Sequence, residues 1–214
     1  MKLQAEKYNV AWFRLAECVS RREKERALGV YRLLSHSFDE KALAAQLYAD
    51  LLLCFEDQQG AIESYKEAAQ LYQKAEKMIE SAAIYEHLVF LSPDEKEYLF
   101  ALLEVYKSLG LTFKMVEHAK ALLDENKIDL GIELSEMLNG HIKPADTAHL
   151  QKDIVFALLK TKGVSEDKVM NQIQYTVDSI VSVDEGLLLQ EFLSELKAVN
   201  SRYYTKVCAY LEKK

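Results

Sequence analysis

A repeat period constrains this chain more than any single residue does. Ala27, Tyr31 and Leu34 recur as Ala61, Tyr65 and Ala68, each displaced by 34 residues, and Leu28 recurs as Ile62. Ser81, Tyr85 and Leu88 recur as Met115, Ala119 and Leu122 at the same displacement, and Tyr72 recurs as Tyr106. A fixed period of this length marks short supersecondary units that bury their apolar faces only by stacking on one another. Within "AIESYKEAAQLYQKA", Ala61, Tyr65, Ala68, Tyr72 and Ala75 alternate in steps of four and three, which puts them on one stripe of a helix. Small residues on such a stripe leave holes that aromatic side chains of a neighbouring helix fill. Ala27, Tyr31, Ala61, Tyr65, Ala68, Tyr72, Tyr85 and Tyr106 are therefore the expected packing residues of the repeat.

Composition agrees that the units are helical. Among 214 residues there are only seven glycines and two prolines, and half of the residues are hydrophobic, a vocabulary of helices rather than sheets. The expected class is all-α. Helices are expected near 3–20, 22–35, 40–56, 61–77 and 78–91. Four more follow near 93–109, 112–125, 128–140 and 147–161, then one near 166–181 and one long final helix over 184–212. Ser37 and Asp39 are expected to cap the third helix, Pro93 to occupy the first position of the sixth, and Ser165 to cap the helix after residue 165. Gly131 is expected to weaken the short helix that contains it. The composition change over "NGHIKPADT", residues 139–147, divides the chain into a repeat region at 1–139 and a C-terminal helical extension at 140–214.

"AIESYKEA" at Ala61, Tyr65 and Ala68 resembles the second-helix motif of the tetratricopeptide repeat family. In "YLFALLEVYKSLG", Leu99, Leu102, Leu103, Tyr106 and Gly110 resemble its first-helix positions, and Pro93 its closing proline. The resemblance covers roughly residues 5–125. The helix at 61–76 reads both as the second helix of one unit and as the first of the next, because the two phases differ by 20 residues. The resemblance implies a right-handed αα-superhelix, a tetratricopeptide-like solenoid with additional C-terminal helices. It also implies a concave groove lined by first helices, placing Asn9, Trp12, Gln46, Asp50, Phe100, Glu104 and Lys107 against a partner segment.

The remaining chemistry is sparse. The formal charge of -7 comes from 27 basic and 34 acidic residues mixed along the chain, and no basic face is gathered for nucleic acid. "RREKER", residues 21–26, reads as a solvated corner between helices, with an anionic contact as the alternative. "KTKGVSEDK" could form the turn of a DNA-binding helix pair, but two acids open its second helix, and an ordinary helical hairpin is expected. Cys18, Cys54 and Cys208 are read as buried free thiols in a reducing compartment. No stretch is long enough to span a membrane, and the start of the chain lacks the apolar run of a secretory signal. A cytoplasmic protein is expected. No phosphate loop, nucleophile elbow or zinc-protease motif is present. No catalytic residue, metal or cofactor is therefore assigned.

The expected function is a non-enzymatic scaffold or adaptor that binds a protein or peptide segment in its groove. An alternative is a secretion chaperone that holds an export substrate. A third is an enzyme or metal-binding protein using the loop that carries His141, Asp146 and His149. The apolar stripe of the final helix also permits a homodimer.

Overall fold

The computed structural model describes residues 2–183 and 186–213, with side chains described from Val10 onward. Among these residues the chain is all-α. The helices are α1 (Lys2–Ser20), α2 (Lys24–Ser35), α3 (Lys41–Cys54), α4 (Gln58–Lys74), α5 (Met78–Leu91) and α6 (Lys96–Ser108). They continue as α7 (Thr112–Asp124), α8 (Ile128–Leu138), α9 (Pro144–Lys160), α10 (Glu166–Ser182), α11 (Gly186–Val199) and α12 (Ser201–Leu211). Each packs chiefly on its neighbours in sequence, which is the pattern of a helical repeat arrangement.

The period is visible in the backbone. Tight three-residue turns recur at Arg21–Glu23, Phe55–Asp57, Ala75–Lys77 and Glu125–Lys127, with left-handed middle residues Arg22 (φ 58°), Glu56 (64°), Glu76 (61°) and Asn126 (62°). The third residue of each turn donates its N–H five residues back. Glu23 reaches the Cys18 carbonyl at 2.9 Å, Asp57 that of Leu52 at 3.0 Å, Lys77 that of Tyr72 at 2.9 Å, and Lys127 that of Leu122 at 2.8 Å. This is the Schellman closure of a helix C-terminus, here built mostly without glycine. Glu56 follows Arg22 by 34 residues, and Gly110 (φ 69°) follows Glu76 by the same interval. The 20-residue step from Glu56 to Glu76 holds one helix, α4, bounded by a tight turn at each end. That single helix is the physical origin of the phase difference.

The chain divides into two compact units, Met1–Leu109 and Gly110–Lys214. The composition change over residues 139–147 lies inside the second unit, as the turn that leads from α8 into α9. In the first unit α4 packs on both α3 and α5. Ala61, Ala68 and Ala69 are fully buried, and Tyr65 and Tyr72 nearly so. Ala27 on α2, Tyr85 on α5 and Tyr106 on α6 are also buried, whereas Tyr31 is half-buried. The Tyr31 ring stacks on Tyr48 with centroids 5.1 Å apart, and its hydroxyl donates to the Ala44 carbonyl at 2.8 Å.

The "RREKER" corner is paired within itself and to the end of α3 and the turn after it. Arg22 donates to the Cys54 carbonyl at 2.7 Å, Lys24 reaches Asp57 at 3.0 Å, and Arg26 reaches Glu23 at 3.0 Å. Consecutive tight turns are thus tied together by the residues that the period aligns. Lys66 does not pair with Glu63 along its own helix. It crosses to Glu97 on α6 at 2.6 Å, while Glu63 accepts from Gln59 at 3.1 Å.

In the second unit α9 packs on α7, α8 and α10, and α10 on α11 and α12. Leu134, Leu138, Leu150, Ile154, Ile173 and Phe192 form its most buried core. Gly131 is buried where α8 meets α7, and a Cβ there would fall 2.7 Å from a Leu123 methyl. The residue expected to weaken α8 is the one that lets the pair approach. Lys152 on α9 is buried and donates to Glu191 and, at 2.8 Å, to Glu195, both on α11. Burial opposes its charge, but the two carboxylates outweigh that cost and raise the ammonium's pKa.

Several sequence expectations are corrected. The long final helix is two helices, broken at Asn200, whose extended backbone and side-chain oxygen cap α12 by accepting from Arg202 and Tyr203 N–H. Pro93 precedes α6 instead of opening it, in a turn closed by Glu95 N–H on the Ser92 carbonyl at 3.1 Å. Its fixed φ suits the second turn position as well as the first helical one. Ser37 closes α2, donating to the Leu34 carbonyl at 2.5 Å, and α3 starts at Lys41 without a side-chain cap. Ser165 does cap α10, accepting from Lys168 N–H at 3.3 Å.

Candidate functional site

The middle helix of the first unit becomes a floor. Because α3 and α5 both pack on α4, their outer faces stand as walls on either side of it. Gln46, Asp50, Leu53 and Cys54 line one wall, Ala83, Ile84 and His87 the other, and Tyr65 of α4 lies between them. The groove has a volume of about 630 Å³, within the range of formed ligand sites.

Hydrogen bonds from the floor orient the polar wall. The Tyr65 hydroxyl donates to Asp50, and the Tyr72 hydroxyl donates to Gln46 at 2.9 Å. Burial first, and then the Asp50 carboxylate, push the Tyr65 phenol well above its ordinary range, so it remains a donor at neutral pH. On the other wall the His87 ring meets Tyr65 edge-on at 4.9 Å and stacks beside Phe90 at 6.4 Å. Phe90 is 79% exposed and Ile79 73% exposed. With Ala83 and His87 they form one stripe along α5, since positions 79, 83, 87 and 90 share a helical face. The groove therefore continues into an apolar surface row that no described part of the chain covers.

Of the residues assigned to a groove from the repeat register, Gln46 and Asp50 line this one. Trp12 is exposed on α1, with its ring 6.0 Å from Phe38. Phe100, Glu104 and Lys107 share a face of α6, the first half-buried and the other two exposed. Among the described residues these four do not line the groove. The Asn9 side chain lies outside the described residues. Leu53, Cys54, Ala83, Ile84 and His87 were not anticipated. For α5 the available signal is the step of four from Ala83 to His87.

The three thiols are free, but Cys54 is exposed and Cys18 and Cys208 are half-buried. The expectation of buried cysteines fails at Cys54 because it follows Asp50 by one helical turn and so shares the groove-facing side of α3. His141, Asp146 and His149 are exposed at the turn into α9 and along its first turns. Among the described residues, no group of three or more histidine, cysteine, aspartate and glutamate side chains could hold a metal ion. No described helix is long and apolar enough to cross a membrane. No family model matches this chain, and no curated protein matches it.

Proposed function

We propose that this protein is a non-enzymatic interaction scaffold, built as a tetratricopeptide-like helical repeat, that holds a segment of a protein partner in the groove between α3 and α5. The observation that carries the reading is the continuity of that groove with the exposed row Ile79, Ala83 and Phe90. An exposed apolar surface rimmed by polar groups is the usual form of a protein-binding site. Leu53, Ala83, Ile84 and Phe90 would receive apolar side chains, and Asp50 would take a donor or a cation from the partner. Phe90, large, aromatic and exposed, is the expected anchor. Three free thiols and a net negative charge suit a reducing, cytoplasmic setting.

The test is affinity capture from lysate of the source organism. The intact chain is compared with an Ala83→Arg, Phe90→Ser variant whose helicity is checked by circular dichroism. Both positions are exposed, so the fold should persist. A protein recovered by the intact chain and lost by the variant supports the groove. Equal recovery, or no protein recovered by either, removes it.

A further inference from the structure

The second unit repeats the geometry of the first with different chemistry. Both α8 and α10 pack on α9, and α8 presents Ile132, Ser135, Glu136 and Asn139 while α10 presents Lys168, Asn171, Gln172 and Tyr175. Each set steps by three, one and three residues, so each is one helical face. Lys168 reaches Asp129 at 2.8 Å near the helix starts, and Asn139, just past the end of α8, donates at 3.5 Å to the Tyr175 hydroxyl midway along α10. The two walls therefore run in the same direction, joined at two points, over a floor that includes Gln151. The groove measures about 650 Å³.

Its lining is unlike that of an ordinary core. Four carboxamides, Asn139, Gln151, Asn171 and Gln172, converge on it with the Ser135 and Tyr175 hydroxyls. Gln151 is only 3% exposed, yet polar. Its nitrogen donates to Ser135 at 3.4 Å and its oxygen accepts from Gln172. Buried Thr176 continues this polar layer, donating to the Gln172 backbone carbonyl at 2.8 Å and lying 3.3 Å from that of Gln151. A carboxamide presents one acceptor oxygen and two donor hydrogens, the same groups a peptide unit needs to have matched.

We infer that this groove binds the main chain of a short extended peptide segment, reading peptide groups rather than side chains. Seven residues of helix rise about 10 Å, which accommodates roughly three residues of extended chain. The lining carries one carboxylate, Glu136, and one ammonium, Lys168, which is paired with Asp129, so neither a strongly anionic nor a strongly cationic ligand is favoured. This proposal is independent of the groove in the first unit. It predicts sequence-tolerant binding of millimolar strength, set by a few neutral hydrogen bonds.

The probe is the blocked pentapeptide acetyl-Ser-Ala-Ser-Ala-Ser-amide, titrated into the full ¹⁵N-labelled chain alongside its backbone N-methylated form. The expected result is saturable movement of the Asn139, Gln151, Asn171 and Gln172 side-chain amide signals with the plain peptide only. Asn171→Leu, at an exposed position, should weaken that binding roughly tenfold while the backbone spectrum of both units stays folded. No movement at millimolar peptide would overturn the proposal and leave the carboxamides as a packing network. Equal response to the N-methylated peptide, or unchanged affinity in Asn171→Leu, would overturn it as well.

Discussion

Replacing Glu76 with glycine should stabilise the first unit, and the reason lies in one dihedral. Glu76 holds φ at 61° in the turn between α4 and α5, and its side chain is exposed. A residue with a Cβ in this conformation carries a strain of about 1–2 kcal/mol that glycine does not. Glycine in turn gives the unfolded chain more freedom, costing about 0.4–1 kcal/mol. The expected net gain is about 0.5–1 kcal/mol, or about 2–4 °C in the melting temperature of a domain in this size range. Urea denaturation followed by fluorescence is the suitable assay, because Trp12 is the only tryptophan and lies in the first unit. Glu76→Ala is the control: it keeps the Cβ and should gain nothing. Arg22→Gly should gain less than Glu76→Gly, since the same backbone relief is offset by losing the 2.7 Å bond to the Cys54 carbonyl. If Glu76→Ala stabilised as much as Glu76→Gly, the left-handed turn would not be the source and the reasoning would fail.

Ser81 on α5 is fully buried, and its hydroxyl has no hydrogen-bond partner among the described residues. Ser81→Ala should therefore stabilise by about 1 kcal/mol, read as a higher urea midpoint at unchanged slope; a loss of stability would reveal a partner for that hydroxyl. The phenols of Tyr31, Tyr65, Tyr72 and Tyr85 are all raised above 10.0, in each case with burial as the largest cause. The folded state thus holds their protons more tightly than the unfolded chain does, so their contribution is complete below pH 10 and lost as pH rises through the folded values. The tyrosinate absorbance that a Tyr65→Phe variant lacks should rise together with the loss of helicity in alkali; the same absorbance rising near pH 10 with helicity intact would refute this.

The all-α class and the period could be read from the residues because both rest on local spacing. The 20-residue phase difference was also visible, but its meaning was not, since only the fold shows that α4 is bounded by tight turns on both sides. Those turns left little trace in sequence. Glycine is the usual signal of a left-handed helix end, and here Arg22, Glu56, Glu76 and Asn126 occupy it, held by bonds from the residue that follows. The break at Asn200 is not legible in the sequence because the apolar spacing runs through it, and a capping side chain is weaker as a signal than proline. At the groove, Gln46 and Asp50 follow from the repeat register. Cys54 and His87 do not, because they come together only when α3 and α5 both settle on α4. The carboxamide groove was harder still: its residues lie on three helices, and each wall alone looks like a solvated face.

The position of α4 has a consequence for how the first unit comes apart. Both of its long faces are occupied, by α3 on one side and α5 on the other, more extensively than those of α5 are by α4 and α6, and its buried stripe runs from Ala61 to Tyr72. Opening α3 or α5 alone exposes one side of it, whereas opening α4 strips the shared surface from both at once. Its amides should accordingly exchange with solvent most slowly in the unit, by the route closest to complete unfolding. A partner seated between α3 and α5 would slow exchange in those two flanking helices, with little left to add at the middle one.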